Sequence, residues 1–236
     1  LAPHGVSWTD QKNYYAQAIR QKEDVVSLLR QKNYDNLTHH PNITVYTGTG
    51  SFTSPDKVEV SLSGREKESL QAPRIFINTG AESIIPPIEG IKGNPHVFTS
   101  TSIMELKELP EKLAIIGGGY VGLEFASMYA SFGSKVTVLE GYPELIGRED
   151  RDIVASVQTV LEKKGIVFHL NAKVQSVDGA TVIYEDAATH EIHHLEGDAI
   201  LLATGRRPNT SGLNLEVAGV KVNERGAIIV DEWLRT

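Results

Sequence analysis

The chain contains no cysteine. That excludes disulfide scaffolds, thiolate metal sites and thiol chemistry by this chain, and it favours a cytoplasmic location. A basic cluster is also lacking, and the net charge over 236 residues is −7. Neither nucleic acid nor an anionic membrane is therefore expected as the main partner. No apolar run approaches the roughly 18 residues of a membrane span. His, Asp and Glu nowhere fall at metal-ligand spacing, so no metal is expected, and no G-x-S-x-G nucleophile elbow occurs. The first residue is Leu1 rather than Met, as in a processed or excerpted chain.

What remains is an ordinary globular composition with a legible order of elements. Asp10 to Asn33 reads as a helix with Ala18, Ile19, Val25, Val26, Leu28 and Leu29 mostly on one face. Ile43 to Gln71 reads as short antiparallel strands, broken by Gly, Ser and Pro. Arg74 to Gly80 has the pattern of a buried strand ending in Thr79-Gly80, and the Pro86-Pro87 pair then enforces a stiff connection. A short helix is expected over Ile103 to Leu109. Leu113–Ile116, Lys135–Glu140, Ile166–Leu170 and Asp198–Thr204 read as strands, and Gly119–Phe132 and Asp150–Lys164 as helices. Between Ala172 and Leu195 the pattern is a meander of short strands, with turns at Asp178-Gly179 and Asp186. Ile75 to Gly80 and Ile200 to Gly205 echo one another, each an apolar strand closed by Thr-Gly, which suggests two related nucleotide-binding units, the first incomplete.

The chemistry concentrates in Gly117-Gly118-Gly119-Tyr120-Val121-Gly122, a G-x-G-x-x-G loop. Such a match gains weight from its setting: a strand before it, an amphipathic helix after it, and a second strand ending in Glu140, 18 residues beyond Gly122. Gly117 permits the tight turn, Gly119 lets backbone approach a pyrophosphate, and Gly122 allows close helix–strand packing. The helix N-terminus offers free N–H groups and a positive dipole end. Glu140 suits the ribose hydroxyls of NAD(H) and repels the 2′-phosphate of NADP(H); the first basic residue downstream is Arg148. NAD(H) is thus the expected cofactor, with NADP(H) second. His39-His40 and His193-His194 read as surface residues, while Trp8, Tyr14, Tyr15 and Trp233 are core or interface aromatics.

Leu113 to Ala126 resembles the NAD(P) fingerprint of the pyridine nucleotide–disulfide oxidoreductases. Ala203-Thr-Gly-Arg-Arg-Pro-Asn209 resembles the segment closing that family's NAD domain. Phe76 to Gly80 and Thr47 to Phe52 resemble FAD-domain segments. The resemblance runs over essentially the whole chain in the family's order, and it implies an FAD-dependent NAD(P)H oxidoreductase whose parent is a homodimer. By the same resemblance, Tyr120 shields the nicotinamide pocket and Glu124 lies near the nicotinamide carboxamide and the flavin. Gly118, Val121 and Gly205 join the cofactor-binding set, while Thr49, Gly50, Thr79 and Gly80 match FAD-contacting positions. The family's own FAD-binding glycine loop, its C-x4-C pair, its Gly-Asp segment and its dimerisation domain are not in this chain, so it reads as an internal fragment.

The expected fold is α/β: a doubly wound, Rossmann-like NAD(P)-binding domain with an inserted antiparallel meander, plus an incomplete FAD-binding domain. Residues 1–88 would form the partial FAD domain, 89–209 the NAD(H) domain and 210–236 a return segment. Two other readings stay open: a non-catalytic NAD-binding or sensing module, and a flavin-dependent NADH oxidase or quinone reductase without a redox disulfide.

Overall fold

The computed structural model describes residues 6–64 and 66–236. They form two compact units: one comprises the segment through Asp24 with Ser83–Gly205, the other Val25–Glu82 with Arg206–Thr236. The boundaries between these units fall at 24/25, 82/83 and 205/206. The first turns of the N-terminal helix also join the first unit rather than residues 25–82, because Tyr15 is buried in that unit's core.

Helix α1 (Trp8–Thr38) opens the chain, followed by strands β1 (Gly48–Ser54), β2 (Lys57–Leu62), β3 (Lys67–Gln71) and the short β4 (Ala81–Ser83). Next come β5 (Val97–Thr99), β6 (Lys112–Ile116), α2 (Tyr120–Phe132), β7 (Lys135–Leu139), α3 (Arg151–Glu162) and β8 (Val167–His169). Then β9 (Ala172–Asp178), β10 (Thr181–Asp186) and β11 (Ile192–Glu196) precede β12 (Ala199–Leu202) and β13 (Arg206–Pro208).

The first unit is built on a five-stranded parallel sheet in the order β5-β12-β6-β7-β8. Side chains alternate across a strand. Leu113, Ile115, Val136, Val138, Ala199 and Leu201 accordingly meet one layer, and Ala114, Ile116, Leu139, Ile200 and Leu202 the other. Burial on both faces is what a parallel sheet demands, and it explains the unbroken apolar runs. The first layer receives α2 through Leu123, Ala126 and Tyr129, α3 through Val154 and Leu161, and α1 through Tyr15. The second layer is the antiparallel meander β11-β10-β9, through Val177, Val182 and Tyr184.

The doubly wound expectation is corrected here. The helices occupy one face only, because the chain passes from β8 to β12 through three strands rather than a helix, and those strands cover the second face. The expected helix at Ile103–Leu109 is a single 3-10 turn, Ser102–Glu105, ending where Leu106 turns extended at ψ 123°. Pro110 biases the preceding Leu109 away from helical geometry. His193, expected at the surface, is half-buried and stacks on Tyr184 at 5.2 Å between ring centroids.

In the second unit β1, β2 and β3 form an antiparallel sheet. Its small core holds Phe52 and Val60, with Leu215 also buried on a 3-10 turn, Leu215–Ala218. The Phe52 N–H donates to Leu213 O at 2.9 Å, and Asn214 Nδ2 donates to Phe52 O at 2.9 Å. The expected strand at Arg74–Gly80 does not form: no sheet includes these residues, and Phe76 is 90 % exposed. An apolar run becomes a strand only where a neighbour accepts its backbone ladder, and none does so among the described residues. The sequence echo of Ile200–Gly205 is therefore not matched in structure, since Ile200–Leu202 is a buried central strand. Val25, Leu28 and Leu29, expected on a core face of α1, are likewise exposed, with no apolar layer over them among the described residues. No described helix is long and apolar enough to cross a membrane.

Candidate functional site

The glycine loop leaves the C-terminal end of β6, between the ends of β12 and β7. Ala203 N donates to Ile116 O at 2.8 Å and Gly117 N to Leu139 O at 2.8 Å, so both neighbours hold the strand up to the turn. Gly117 has φ +113°, and a Cβ there would drive into the Ala203 carbonyl, so only glycine fits. At Gly122 a Cβ would strike the Gly117 carbonyl oxygen, which is the close helix–strand approach expected of that position.

Gly119 is different in kind. Its φ of −78° suits any residue, and a Cβ there would find nothing within 4 Å. The fold does not require glycine at 119, and the absent Cβ leaves the backbone open on that side. Just behind it, the N–H groups of Gly119, Tyr120, Val121 and Gly122 meet no acceptor among the described residues; the first capping bond is Leu123 N to Gly119 O at 3.0 Å. Unpaired N–H groups at a helix N-terminus, at the C-terminal edge of a parallel sheet, are an arrangement that can accept an anion such as a phosphate.

Glu140 stands at the end of β7, half-buried. Its Oε2 accepts the Gly118 N–H at 2.6 Å and its Oε1 the Tyr142 N–H at 2.9 Å. The carboxylate thus ties the second strand's end to the glycine loop. Each oxygen still has a lone pair free for a hydroxyl donor. The following segment also closes on the loop: Ile146 N donates to Gly118 O at 3.2 Å, and the fully buried Leu145 packs against Gly118.

Tyr120 begins α2 with its ring exposed, and its hydroxyl donates to the Glu149 carboxylate. That hydrogen bond, reinforced by partial desolvation and by the carboxylate's charge, raises the phenol above the ordinary tyrosine value; Arg148 opposes it slightly. Glu124 lies one turn further on and is exposed, in a groove shared with Ser127, Met128, Leu161 and Lys164. Gly205, at φ +114°, follows β12. Its carbonyl accepts Ile84 N at 3.0 Å, and Thr204 Oγ1 donates to Ile84 O at 3.2 Å.

Gly117 to Gly122, Glu140 and Gly205 all belong to the first unit, whereas Thr49, Gly50, Thr79 and Gly80 belong to the second. Thr49 and Gly50 lie on β1 opposite Ser61 and Val60. Gly80, at φ +69°, accepts the Asn209 N–H at 3.0 Å. Sequence reasoning missed Leu145 and Glu149 as partners of the loop. Neither sits at a motif position, and only the folded path of 141–150 brings them there. Among the described residues no group of three or more His, Asp or Glu side chains could hold a metal ion.

The family model for pyridine nucleotide-disulphide oxidoreductases matches residues 6–236. The curated "Probable pyridine nucleotide-disulfide oxidoreductase RclA" of Escherichia coli K12 is 45 % identical over 223 residues, covering 94 % of this chain and 50 % of the relative. Mercuric reductase of Streptomyces lividans is 35 % identical over 234 residues, covering 98 % and 49 % respectively. The solved structure of HOCl-induced flavoprotein disulfide reductase RclA from Escherichia coli superposes with a TM-score of 0.83 at 44 % identity, covering 92 % of this chain and 48 % of that one. The chain spans about half the length of the curated relatives it matches. With the family model running from residue 6 to the last residue, the chain belongs to the pyridine nucleotide-disulphide oxidoreductase family.

Proposed function

We propose that this chain supplies the NAD(H)-binding portion of an FAD-dependent oxidoreductase. The observation that carries this reading is Glu140, held at the end of β7 with Oε2 2.6 Å from the Gly118 nitrogen. A ribose whose diphosphate rests on the α2 N-terminus brings its hydroxyls to this carboxylate. A 2′-phosphate would meet its negative charge instead, so NADH is preferred to NADPH.

The residues divide the work. Gly119 gives clearance, the free N–H groups from Gly119 to Gly122 bind the diphosphate, and Glu140 selects the ribose. Tyr120 and Glu124 serve the nicotinamide end, while Thr49, Gly50, Thr79 and Gly80 serve FAD from the second unit. When bound, the two cofactors supply hydride transfer from NADH to flavin and onward passage of electrons to a disulfide or other acceptor. In the domain terms of this reading, 89–209 is the NAD(H) domain, 1–88 a partial FAD domain and 210–236 the return segment. The parent enzyme is a homodimer. The relatives' printed names, a flavoprotein disulfide reductase among them, support a flavin partner.

The test is calorimetric titration of the chain with NADH and, separately, NADPH at moderate salt. Tighter NADH binding that Glu140→Ala weakens supports the assignment. Better NADPH binding would overturn the cofactor preference and leave the family intact. Absence of binding to a folded chain would make the glycine loop purely structural.

A further inference from the structure

Resting on that reading, we propose that Tyr142 is the stacking platform for the adenine ring, and so a determinant of how tightly the site holds the adenosine half of the cofactor. The direction of a bound dinucleotide follows from the strand ends. Its diphosphate lies at the loop after β6 and its adenosine ribose at Glu140, after β7. The base must continue the same way, past Glu140 and towards the end of β8. The chain beyond Glu140 runs there: Glu140 N donates to His169 O at 2.9 Å, and Ala172 N donates to Glu140 O at 2.8 Å.

The rings at this end of the sheet include His169, at the end of β8, and Tyr142. His169 is already engaged, 5.6 Å from the Tyr184 ring. Tyr142 is not: it is 74 % exposed and takes part in none of the aromatic pairs among the described residues. Its backbone, by contrast, is fixed at both ends. Tyr142 N donates to Glu140 Oε1 at 2.9 Å, and Tyr142 O accepts Asn171 N at 3.0 Å. Pro143 restricts it further from the next position. Gly141, between the ribose carboxylate and the ring, adds no side chain, and a Cβ there would lie 3.9 Å from its nearest neighbour, Ala172 O. A large apolar face held on a fixed backbone, one residue beyond the ribose acid, matches what a purine needs: a flat partner that loses little freedom when the base arrives.

The experiment is calorimetry on the full chain with three ligands: NADH, ADP-ribose and reduced nicotinamide mononucleotide, which lacks the adenosine half. Tyr142→Ala is expected to weaken NADH and ADP-ribose alike, about tenfold each, and to leave the mononucleotide unchanged. Tyr142→Phe keeps the ring and is expected to bind all three as the unaltered chain does. Circular dichroism confirms that both variants fold. Equal NADH affinity in the unaltered chain and Tyr142→Ala would overturn the platform while leaving the NAD(H) site standing. Equal loss of the mononucleotide would overturn it too, since the residue would then act on the whole site. No NADH binding by the unaltered chain would remove the underlying reading and this inference together.

Discussion

The Glu140 carboxylate accepts the Gly118 N–H at 2.6 Å, across 22 residues of chain. One side chain therefore serves two ends: it stiffens the glycine loop and presents the remaining lone pairs of a fixed carboxylate. Glu140→Ala is expected to weaken NADH about tenfold or more and to lower unfolding stability by about 1 kcal/mol, since the Gly118 N–H is left without its acceptor. Calorimetry reads the first effect and urea denaturation the second. A variant that loses stability but binds NADH normally would confine Glu140 to a structural role.

Gly117 and Gly119 are two residues apart and should respond oppositely to alanine. At Gly117 the positive φ and the Ala203 carbonyl both oppose a Cβ, so Gly117→Ala should destabilise the chain by about 3 kcal/mol. At Gly119 neither obstacle exists. Gly119→Ala should fold with a stability change below about 1 kcal/mol yet lose NADH affinity, because the methyl occupies the approach to the diphosphate. Thermal melts beside NADH titrations separate the two outcomes.

Tyr15 and Tyr129 meet in the core with hydroxyl oxygens 3.1 Å apart; Tyr15 also donates to Leu106 O at 2.8 Å and Tyr129 to Ile103 O at 3.2 Å. Burial, above all, raises both phenols above the ordinary tyrosine value. The unfolded chain releases these protons at lower pH than the folded one. Their contribution to stability is therefore fully present below about pH 10 and is lost as pH rises beyond it. Melting temperature should fall steeply above that pH, and Tyr129→Phe should flatten the fall. At neutral pH the same change should cost only about 1 kcal/mol, because Ile103 O keeps the Leu106 N–H at 3.2 Å.

Tyr120 titrates above an ordinary tyrosine because its hydroxyl donates to Glu149. Glu149→Ala should bring that titration down towards the ordinary value, read by NMR of ring-labelled tyrosine with Tyr120→Phe to assign the signal. An unchanged Tyr120 titration would mean the contact does not persist in solution.

Much of the first unit was legible because its signals are local and periodic. Leu113–Ile116 and Ile200–Leu202 are apolar without alternation, as strands buried on both faces must be, and Gly122 is spaced for helix–strand contact. The site was legible where a motif carries its own mechanics: Gly117, Gly119 and Glu140 stand where the βαβ pattern puts them. Arg74–Gly80 has the same apolar signature as Ile200–Gly205, yet it forms no strand, because pairing depends on a neighbour that no local pattern reveals. The apolar face of α1 at Val25, Leu28 and Leu29 fails for the same reason.

The sequence by itself determined the glycine-rich turn, the acid that follows it and the meander that interrupts the strands, since glycine, β-branched and capping preferences act over a few residues. Only the tertiary structure decided which face the helices share, that Leu145 and Ile146 close against Gly118, and that Glu149 holds Tyr120. Those contacts join residues whose separation in the chain exceeds any local period. Each is set by how the segment after β7 folds back over the loop, with apolar burial and backbone hydrogen bonds selecting that one path.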